Sequence, residues 1–196
     1  MRELEIERKF LIDAVKLQES EEFKNAPKVW WIMQGYLGSD EKKAIRVRCE
    51  QLLKNEKALG VKAFYWNNID NPEPMEKAGL AKLYIKTSSG VEYNYDMPYQ
   101  EFKELYELCG TDTLEKYRYY VEFGGKIWHV DFFKEKLSPL VVAELEVTSW
   151  EEVYEKPDWV ITEVTEINKF KNSHLVKHNY KSLWENESIE ISQKKS

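Results

Sequence analysis

Charged residues of one sign recur at every second position in several short segments of this 196-residue chain. Arg46 is followed by Arg48, and Glu144 is followed by Glu146. Residues two apart on a β-strand lie on the same face, where like charges repel one another unless a ligand compensates them. Pairs of this kind indicate strands whose polar face binds a charged ligand.

The charged residues of these segments form a basic set and an acidic set that suit complementary chemistry. The basic set is Lys9, Arg46, Arg48, Lys82, Lys86, Lys116 and Arg118. The acidic set is Glu5, Glu7, Glu92, Asp131, Glu144 and Glu146. Arginine binds phosphate oxygens in a bidentate manner, and carboxylates without histidine or cysteine partners suit hard cations such as Mg²⁺ or Mn²⁺. The two sets together predict a polyphosphate with a bound metal ion, and a triphosphate better than a single phosphate.

Period-two alternation predicts the strands that position these residues. The alternating segments are residues 4–9, 44–50, 81–86, 91–97, 117–123, 127–133 and 141–147. Gly124-Gly125 predicts a hairpin turn between two of them. Helical spacing and stop signals predict a helix over Tyr99–Cys109, a shorter one over Ser149–Glu155 and another within Asn172–Leu183.

Two arrangements of such an antiparallel sheet accommodate the charged faces. They could point outward into water, as most charged strand faces do, with the apolar faces filling the middle. Alternatively, helices could cover the apolar faces, which would leave the charged faces around an internal space. The many bulky aromatic residues on the apolar faces favour the second arrangement, but the residues alone leave both open.

Length and composition place the chain in a broad class. Hydrophobic residues make up 42% and charged residues 33%, which is typical of one globular domain, predicted here over residues 1–184 with a polar tail over 185–196. Residues 51–79 fit neither period and are interpreted as an insertion. The net charge of −6 argues against a general nucleic-acid binder. No membrane contact is expected, and a homodimer is compatible with the sequence. Two distant cysteines and a charged N-terminus without signal-peptide character predict a cytoplasmic protein.

The segment Glu5-Ile6-Glu7-Arg8-Lys9 resembles the E-x-E-x-K signature of the CYTH family, the triphosphate tunnel metalloenzymes. Further matching segments follow in family order: Gln34-Gly35-Tyr36-Leu37, Ile45-Arg46-Val47-Arg48, Tyr84-Ile85-Lys86, Glu115-Lys116-Tyr117-Arg118-Tyr119, Trp128-His129-Val130-Asp131 and Leu140-Val141-Val142-Ala143-Glu144-Leu145-Glu146. The likeness extends to about Tyr180, and it is closest to the short bacterial members, which favour inorganic triphosphate.

The resemblance implies an α+β fold, a closed antiparallel eight-stranded β-barrel with a charged interior and helices packed outside. It implies hydrolysis of a triphosphate with Mg²⁺ or Mn²⁺ as cofactor. The implied substrate-binding residues are Lys9, Arg46, Arg48, Lys86 and Arg118, and the implied catalytic residues are Lys9, Tyr36, Lys116 and Arg118. The metal ligands implied are Glu5, Glu7, Glu144 and Glu146, to which the acidic positions Glu92 and Asp131 are added.

Some positions depart from the family pattern, and they keep other functions open. Members usually carry an arginine before a central E-x-E strand, whereas this chain has Ser88-Ser89-Gly90-Val91-Glu92-Tyr93-Asn94. A late lysine that orients water is matched only loosely, by Lys177 or Lys181. The alternatives are an adenylate cyclase or a nucleotide or thiamine triphosphatase of the same family, and a polyphosphate-binding or nucleotide-binding protein without catalysis.

Overall fold

A computed structural model describes residues 6–40, 42–53 and 79–185 of the chain. Its strands are β1 (Ile6–Ile12), β2 (Lys28–Ser39), β3 (Lys43–Leu52), β4 (Leu80–Thr87), β5 (Glu92–Met97), β6 (Thr113–Phe123), β7 (Lys126–Phe133), β8 (Val141–Val147) and β9 (Val160–Glu163). Its α-helices within these ranges are α1 (Ala14–Glu19), α2 (Glu21–Lys24), α3 (Tyr99–Leu108) and α4 (Asn172–Leu175). Most of the predicted insertion, and the tail beyond residue 185, lie outside the described residues.

All nine strands belong to one antiparallel sheet in the order β5-β4-β3-β2-β6-β7-β8-β1-β9. Its edges are β5 and β9, which do not pair with each other in the part of the chain that the structure describes. The predicted closed eight-stranded barrel is therefore wrong, because the sheet is open, has nine strands and is accompanied by few helices. Alternation shows which face a side chain takes, but it does not show whether two edge strands meet.

The apolar side of the sheet carries the main core and is covered by helices. Phe10 and Trp128 are fully buried there, with ring centroids 5.3 Å apart. On the same side, α2 inserts Phe23 against Tyr119 and Phe132 of the sheet, at centroid distances of 4.7 Å and 5.7 Å. The aromatic residues thus pack between sheet and helices.

Side chains at the helix ends explain where the first two helices begin. Asp13 caps α1 by accepting hydrogen bonds of 3.1 Å from the backbone N–H groups of Val15 and Lys16. Ser20 caps α2 in the same way through the N–H of Phe23, at 3.3 Å. These caps fix the turn that brings Phe23 onto the sheet.

The later helices follow the sequence prediction in part. The helix predicted over Tyr99–Cys109 is confirmed as α3, which buries Phe102 against β3 and β4. The helix predicted over Ser149–Glu155 is wrong, since those residues form a turn and coil. The region Asn172–Leu183 contains only the single turn of α4. Among the described residues, no helix is long and apolar enough to cross a membrane.

The chain approaches itself very closely where α3 ends on β2. A Cβ atom added to Gly35 would lie 2.7 Å from Sγ of Cys109 and 3.1 Å from Cδ2 of Tyr106. Any larger side chain at this position would therefore push β2 away from the end of α3. Gly35 lies between Gln34 and Tyr36, whose side chains point to the other face of the sheet.

We expect Gly35→Ala to destabilise the fold by about 1–3 kcal/mol, since the new methyl group overpacks the contact with Cys109. The measurement is the free energy of unfolding by urea. Gly38→Ala on the same strand is the matched control, because a Cβ there meets nothing within 4 Å. Adding Cys109→Ala should restore part of the loss. Equal stability of the two alanine variants would contradict the packing argument.

Candidate functional site

The side of the sheet opposite the main core, here called the charged face, lines a cavity of about 210 Å³. Its basic lining residues are Arg46, Arg48, Lys86, Lys116 and Arg118, and its acidic lining residues are Glu7, Glu92, Glu144 and Glu146. Glu92 comes from the edge strand β5, and Glu7 comes from β1 near the other edge, so the sheet must curl for both to reach one cavity. Of the two arrangements that the sequence left open, the structure therefore has the one with the charges around an internal space.

Buried ion pairs connect the side chains at the base of this cavity. Arg118 makes two hydrogen bonds of 2.7 Å to the two carboxylate oxygens of Asp131, and Lys116 lies 2.5 Å from the same carboxylate. Arg118 also contacts Glu144, which in turn binds Lys9. These five residues, here called the ion-pair chain, hold their own positions without help from a ligand.

Burial and neighbouring charges shift the pKa values within the ion-pair chain. Burial opposes ionisation of Glu144, but Lys9 and Arg118 outweigh it and hold its pKa well below the usual range. The pKa of Asp131 is lowered in the same way by Arg118 and Lys116, against burial. For Lys116 burial prevails, joined by the charge of Arg118, and its pKa falls to about 8 although Asp131 acts in the opposite direction. Both carboxylates are therefore ionised at neutral pH.

Glu7 behaves differently from its neighbour Glu144. Burial, followed by the nearby charge of Glu144, raises the pKa of Glu7 to about 7, even though Lys9 lies 3.5 Å away. The negative charges of Glu7 and Glu144 repel each other when both carboxylates are ionised, and a proton or a cation between them relieves that repulsion. Both oxygens of Glu144 already contact Lys9 and Arg118, so Glu7 is the carboxylate of this pair that is better placed to meet a positive ion.

On the opposite wall, two arginines retain hydrogen-bond donors that no described residue uses. The Nε–H groups of Arg46 and Arg48 are buried and have no acceptor among the residues that the structure describes. Arg46 reaches Glu92 at 3.2 Å and stacks over the ring of Tyr84 at 4.7 Å, while Arg48 pairs with Glu50. Buried donors without acceptors are costly, so an oxygen-rich anion in the cavity would relieve them.

Three predicted site residues lie beside the cavity lining rather than on it. Lys9 and Asp131 belong to the ion-pair chain, and Tyr36 is buried with its hydroxyl 2.9 Å from Nε2 of Gln34. Both oxygens of Asp131 are occupied by Lys116 and Arg118, so its predicted metal role stays a prediction. Glu5 lies outside the described residues.

The late lysines do not reach the cavity, whereas two neutral residues do. Lys177 pairs with Asp112, and Lys181 is exposed and pairs with Glu185 at 3.5 Å. Gln34 and Asn172 line the cavity, and sequence reasoning missed both. A neutral amide gives no charge pattern, so the only available signal for Gln34 was its place in the segment Gln34-Gly35-Tyr36-Leu37.

The carboxylate side chains around the cavity offer oxygen atoms, which are the ligands that a hard divalent cation prefers. Within the described part of the chain, no three histidine, cysteine, aspartate or glutamate side chains stand close enough together to hold a metal ion by themselves. Mg²⁺ commonly takes only one or two carboxylates and completes its shell with water and substrate phosphates. Glu7 meets that requirement, and burial together with the nearby charge of Glu144 raises its pKa to about 7.

Comparisons with known proteins agree on one family. No family model matches the chain. The chain is 33% identical over 182 residues to the inorganic triphosphatase of Acetivibrio thermocellus, covering 92% of this chain and 98% of that protein. It is 30% identical over 99 residues to the inorganic triphosphatase of Nitrosomonas europaea, covering 47% and 66%. The crystal structure of the inorganic triphosphatase NE1496 matches with a TM-score of 0.58 and 25% identity, covering 88% of this chain and 93% of that one.

The chain belongs to the CYTH family. In this CYTH protein, the described part of the E-x-E-x-K signature places Glu7 on the cavity and Lys9 in the ion-pair chain. The segments that follow place Arg46, Arg48 and Arg118 on the same cavity. The family motifs, far apart in sequence, therefore meet on one face of the sheet.

We expect Asp131→Asn to destabilise this CYTH protein by about 3–5 kcal/mol, because Lys116 and Arg118 would remain buried without their counter-charge. Unfolding by urea measures the change. Asp96→Asn is the matched control: Asp96 pairs with Lys82 at 3.3 Å on the same face, but its side chain is 88% exposed. Its effect should stay within about 0.5 kcal/mol. Similar losses in the two variants would show that burial of the ion pair is not what matters.

Proposed function

We propose that this protein hydrolyses a phosphoanhydride bond of inorganic triphosphate, giving pyrophosphate and phosphate. The observation that carries the proposal is the pair of buried arginines, Arg46 and Arg48, whose Nε–H donors lack acceptors beside a cavity lined by further cations. Similarity to two inorganic triphosphatases supports the same reaction. The protein is accordingly an enzyme acting on an acid anhydride.

The charges of the cavity favour a polyphosphate over a single phosphate. Five basic and four acidic side chains line it, drawn from six strands. A single phosphate would engage only the cations of one part of the cavity, whereas a triphosphate chain offers oxygens to Arg46 and Arg48 on the wall and to Arg118 at the base. A volume of about 210 Å³ suits an unbranched inorganic chain.

The side chains of this protein divide the work of binding and transition-state stabilisation. Arg46, Arg48 and Lys86 bind the phosphate oxygens by charge-assisted hydrogen bonds. Arg118, held by Asp131, and Lys116 donate to the phosphoryl group that is transferred, where their preset positions stabilise the charge that develops.

Water is the nucleophile in this proposal. No serine or cysteine stands among the described residues that line the cavity, so neither a hydroxyl nor a thiol nucleophile of these types is available there. Water attacks the terminal phosphorus, the P–O bond to the bridging oxygen breaks, and one proton is released as pyrophosphate leaves.

Mg²⁺ or Mn²⁺ is the proposed cofactor. Glu7 is the first of its proposed ligands, with Glu144, Glu146, Glu5 and Glu92 as further acidic positions of the site. When bound, the ion neutralises phosphate charge and polarises the bond that breaks. Glu146 and Glu92 line the cavity, so their carboxylates are within the same space as the substrate.

Phosphate release from inorganic triphosphate, with Mg²⁺ or Mn²⁺, tests the proposed function. We expect rapid release that a chelator abolishes and that Arg46→Gln lowers by about 100-fold or more. Lys103→Gln, which removes an exposed lysine on α3, is the control and should leave the rate unchanged.

ATP and thiamine triphosphate, assayed in parallel, separate the other functions. Pyrophosphate and a cyclic nucleotide from ATP would instead identify a cyclase. A folded protein that binds triphosphate but turns over none of the three compounds would be a binding protein, and the proposal would be wrong.

The raised pKa of Glu7 predicts how stability depends on pH without divalent metal. Between about pH 4.5 and about pH 7 the folded protein holds a proton on Glu7 that the unfolded chain has lost. Stability from this residue is therefore present at low pH and is lost as the pH rises through that window. Glu7→Gln mimics the protonated form, so the melting temperature of the wild type should fall relative to this variant as pH rises.

Differential scanning calorimetry at several pH values, with and without Mg²⁺, measures this difference. Mg²⁺ should reduce this difference in melting temperature at pH 8, because its positive charge takes the place of the proton on Glu7. A difference between the two proteins that does not change with pH would show that Glu7 is not held near Glu144 in solution.

A further inference from the structure

Gln34 and Tyr36 lie next to each other on the charged face, because β2 alternates its side chains between the two faces. Both are almost completely buried, with exposed fractions of 1% and 5%. On the opposite face of β2, the close contact between Gly35 and Cys109 fixes the distance between the strand and the end of α3. The pair is therefore held in place beside the cavity, which Gln34 lines directly.

The hydrogen bond between these two residues has a defined direction. Nε2 of Gln34 donates to the hydroxyl oxygen of Tyr36 at 2.9 Å. The orientation of an amide follows from its surroundings. The cross-strand neighbours of Gln34 are Arg48 on β3 and Leu114 on β6. The Gln34 side chain contacts the Tyr36 hydroxyl, and the amide nitrogen is the atom that faces it.

The phenolic hydrogen of Tyr36 has no acceptor in this arrangement. Arg46 lies opposite Tyr36 in the strand register, and a guanidinium cannot accept a hydrogen bond. Arg46 lowers the pKa of Tyr36, but burial is the larger effect and the pKa is raised overall, so the phenol keeps its proton at neutral pH. Donors thus surround the oxygen of Tyr36, and among the described residues no group accepts its hydrogen.

We propose that Gln34 is a positioning residue that occupies the oxygen of Tyr36 and so aims the phenolic hydrogen at a phosphate oxygen of the bound triphosphate. The inference rests on the proposed function for the identity of the ligand. The neutral side chain of Gln34 sets the orientation of the Tyr36 hydroxyl group whether or not the bound compound is hydrolysed. Removing the amide frees the hydroxyl to rotate and weakens its contact with the substrate.

A double-mutant cycle tests the proposal, with Gln34→Met, Tyr36→Phe and the double variant. We expect Tyr36→Phe to lower kcat for inorganic triphosphate by about tenfold or more, as for a hydrogen bond to a charged group. Gln34→Met alone should lower kcat several-fold, with KM changed less. In the Tyr36→Phe background it should change kcat by less than about twofold, because the hydroxyl through which it acts is gone.

Gln51→Met is the matched control for the cycle. Gln51 is also a buried glutamine of the sheet, 4% exposed, but it lies on the opposite face and its Oε1 has no described partner. This variant should retain wild-type kcat. If Gln34→Met does not fold, Gln34→Glu serves in its place, because a carboxylate accepts the phenolic hydrogen and should lower kcat at least as much as Tyr36→Phe.

Binding measured by calorimetry separates this inference from the proposed function. The same cycle on the dissociation constant of inorganic triphosphate, without divalent metal, should show the same non-additivity even in a protein that does not turn the compound over. Independent, additive losses from Gln34→Met and Tyr36→Phe in both measurements would overturn the inference. So would a Tyr36→Phe variant with unchanged kcat and unchanged dissociation constant.

Discussion

Lys9, Glu144, Arg118, Asp131 and Lys116 form a continuous series of ion pairs across the middle of the sheet, and water reaches little of it. Burying charges in this way costs several kcal/mol per ion unless geometry and hydrogen bonds offset it. The series contains three cations and two carboxylates, so it carries an excess positive charge. Burial lowers the pKa of Lys116 and the charge of Arg118 adds to that effect, whereas the neighbouring cations keep the pKa values of the two carboxylates low; the excess positive charge prepares the cavity for an anion.

Strand register is what makes these pairs form. Lys9 lies directly opposite Glu144 between β1 and β8, and Arg118 lies directly opposite Asp131 between β6 and β7. A slip of one residue would turn the charges toward the core and bring Phe10 and Val130 into the cavity. The large aromatic core on the other face and the ion pairs on this one therefore specify the same register.

Patterns in the sequence predicted the strands that alternate and missed those that do not. The strands β1 and β3 to β8 carry charged and apolar residues in turn, so period two identifies them. β2 reads Lys-Val-Trp-Trp-Ile-Met-Gln-Gly-Tyr-Leu-Gly-Ser, a nearly continuous apolar run, because it lies in the middle of the sheet with covered side chains on both faces. β9 has only four residues, too few for a pattern. The closed barrel that the resemblance implied was wrong, and alternation could not correct it because the pattern contains no information about whether the edges meet.

For the site, charge was the signal that could be read from the sequence. It brought Arg46, Arg48 and Arg118 into one predicted set, and the structure places them around one cavity. Neutral groups were invisible to that reasoning: Gln34 carries no charge, and Asn172 comes from a C-terminal segment whose position depends on packing against the sheet. Partner choice also escaped it, since only the register shows that Asp131 is engaged by two cations.

The ion pairs of the cavity differ in how easily a substrate can replace them. Arg46 meets Glu92 through one contact of 3.2 Å, with 18% and 31% of the two side chains exposed, so the pair contributes little and exchanges readily for phosphate oxygens. Arg118 and Asp131 are joined by two hydrogen bonds and Asp131 is fully buried, so breaking that pair would strand a charge away from water. Binding should therefore rearrange the wall formed by β3, β4 and β5 while the base formed by β6, β7 and β8 stays fixed. An anion can therefore replace the Arg46–Glu92 pair on entry while Arg118 stays in position. Catalysis requires this, because Arg118 must already be in place when the phosphoanhydride bond breaks.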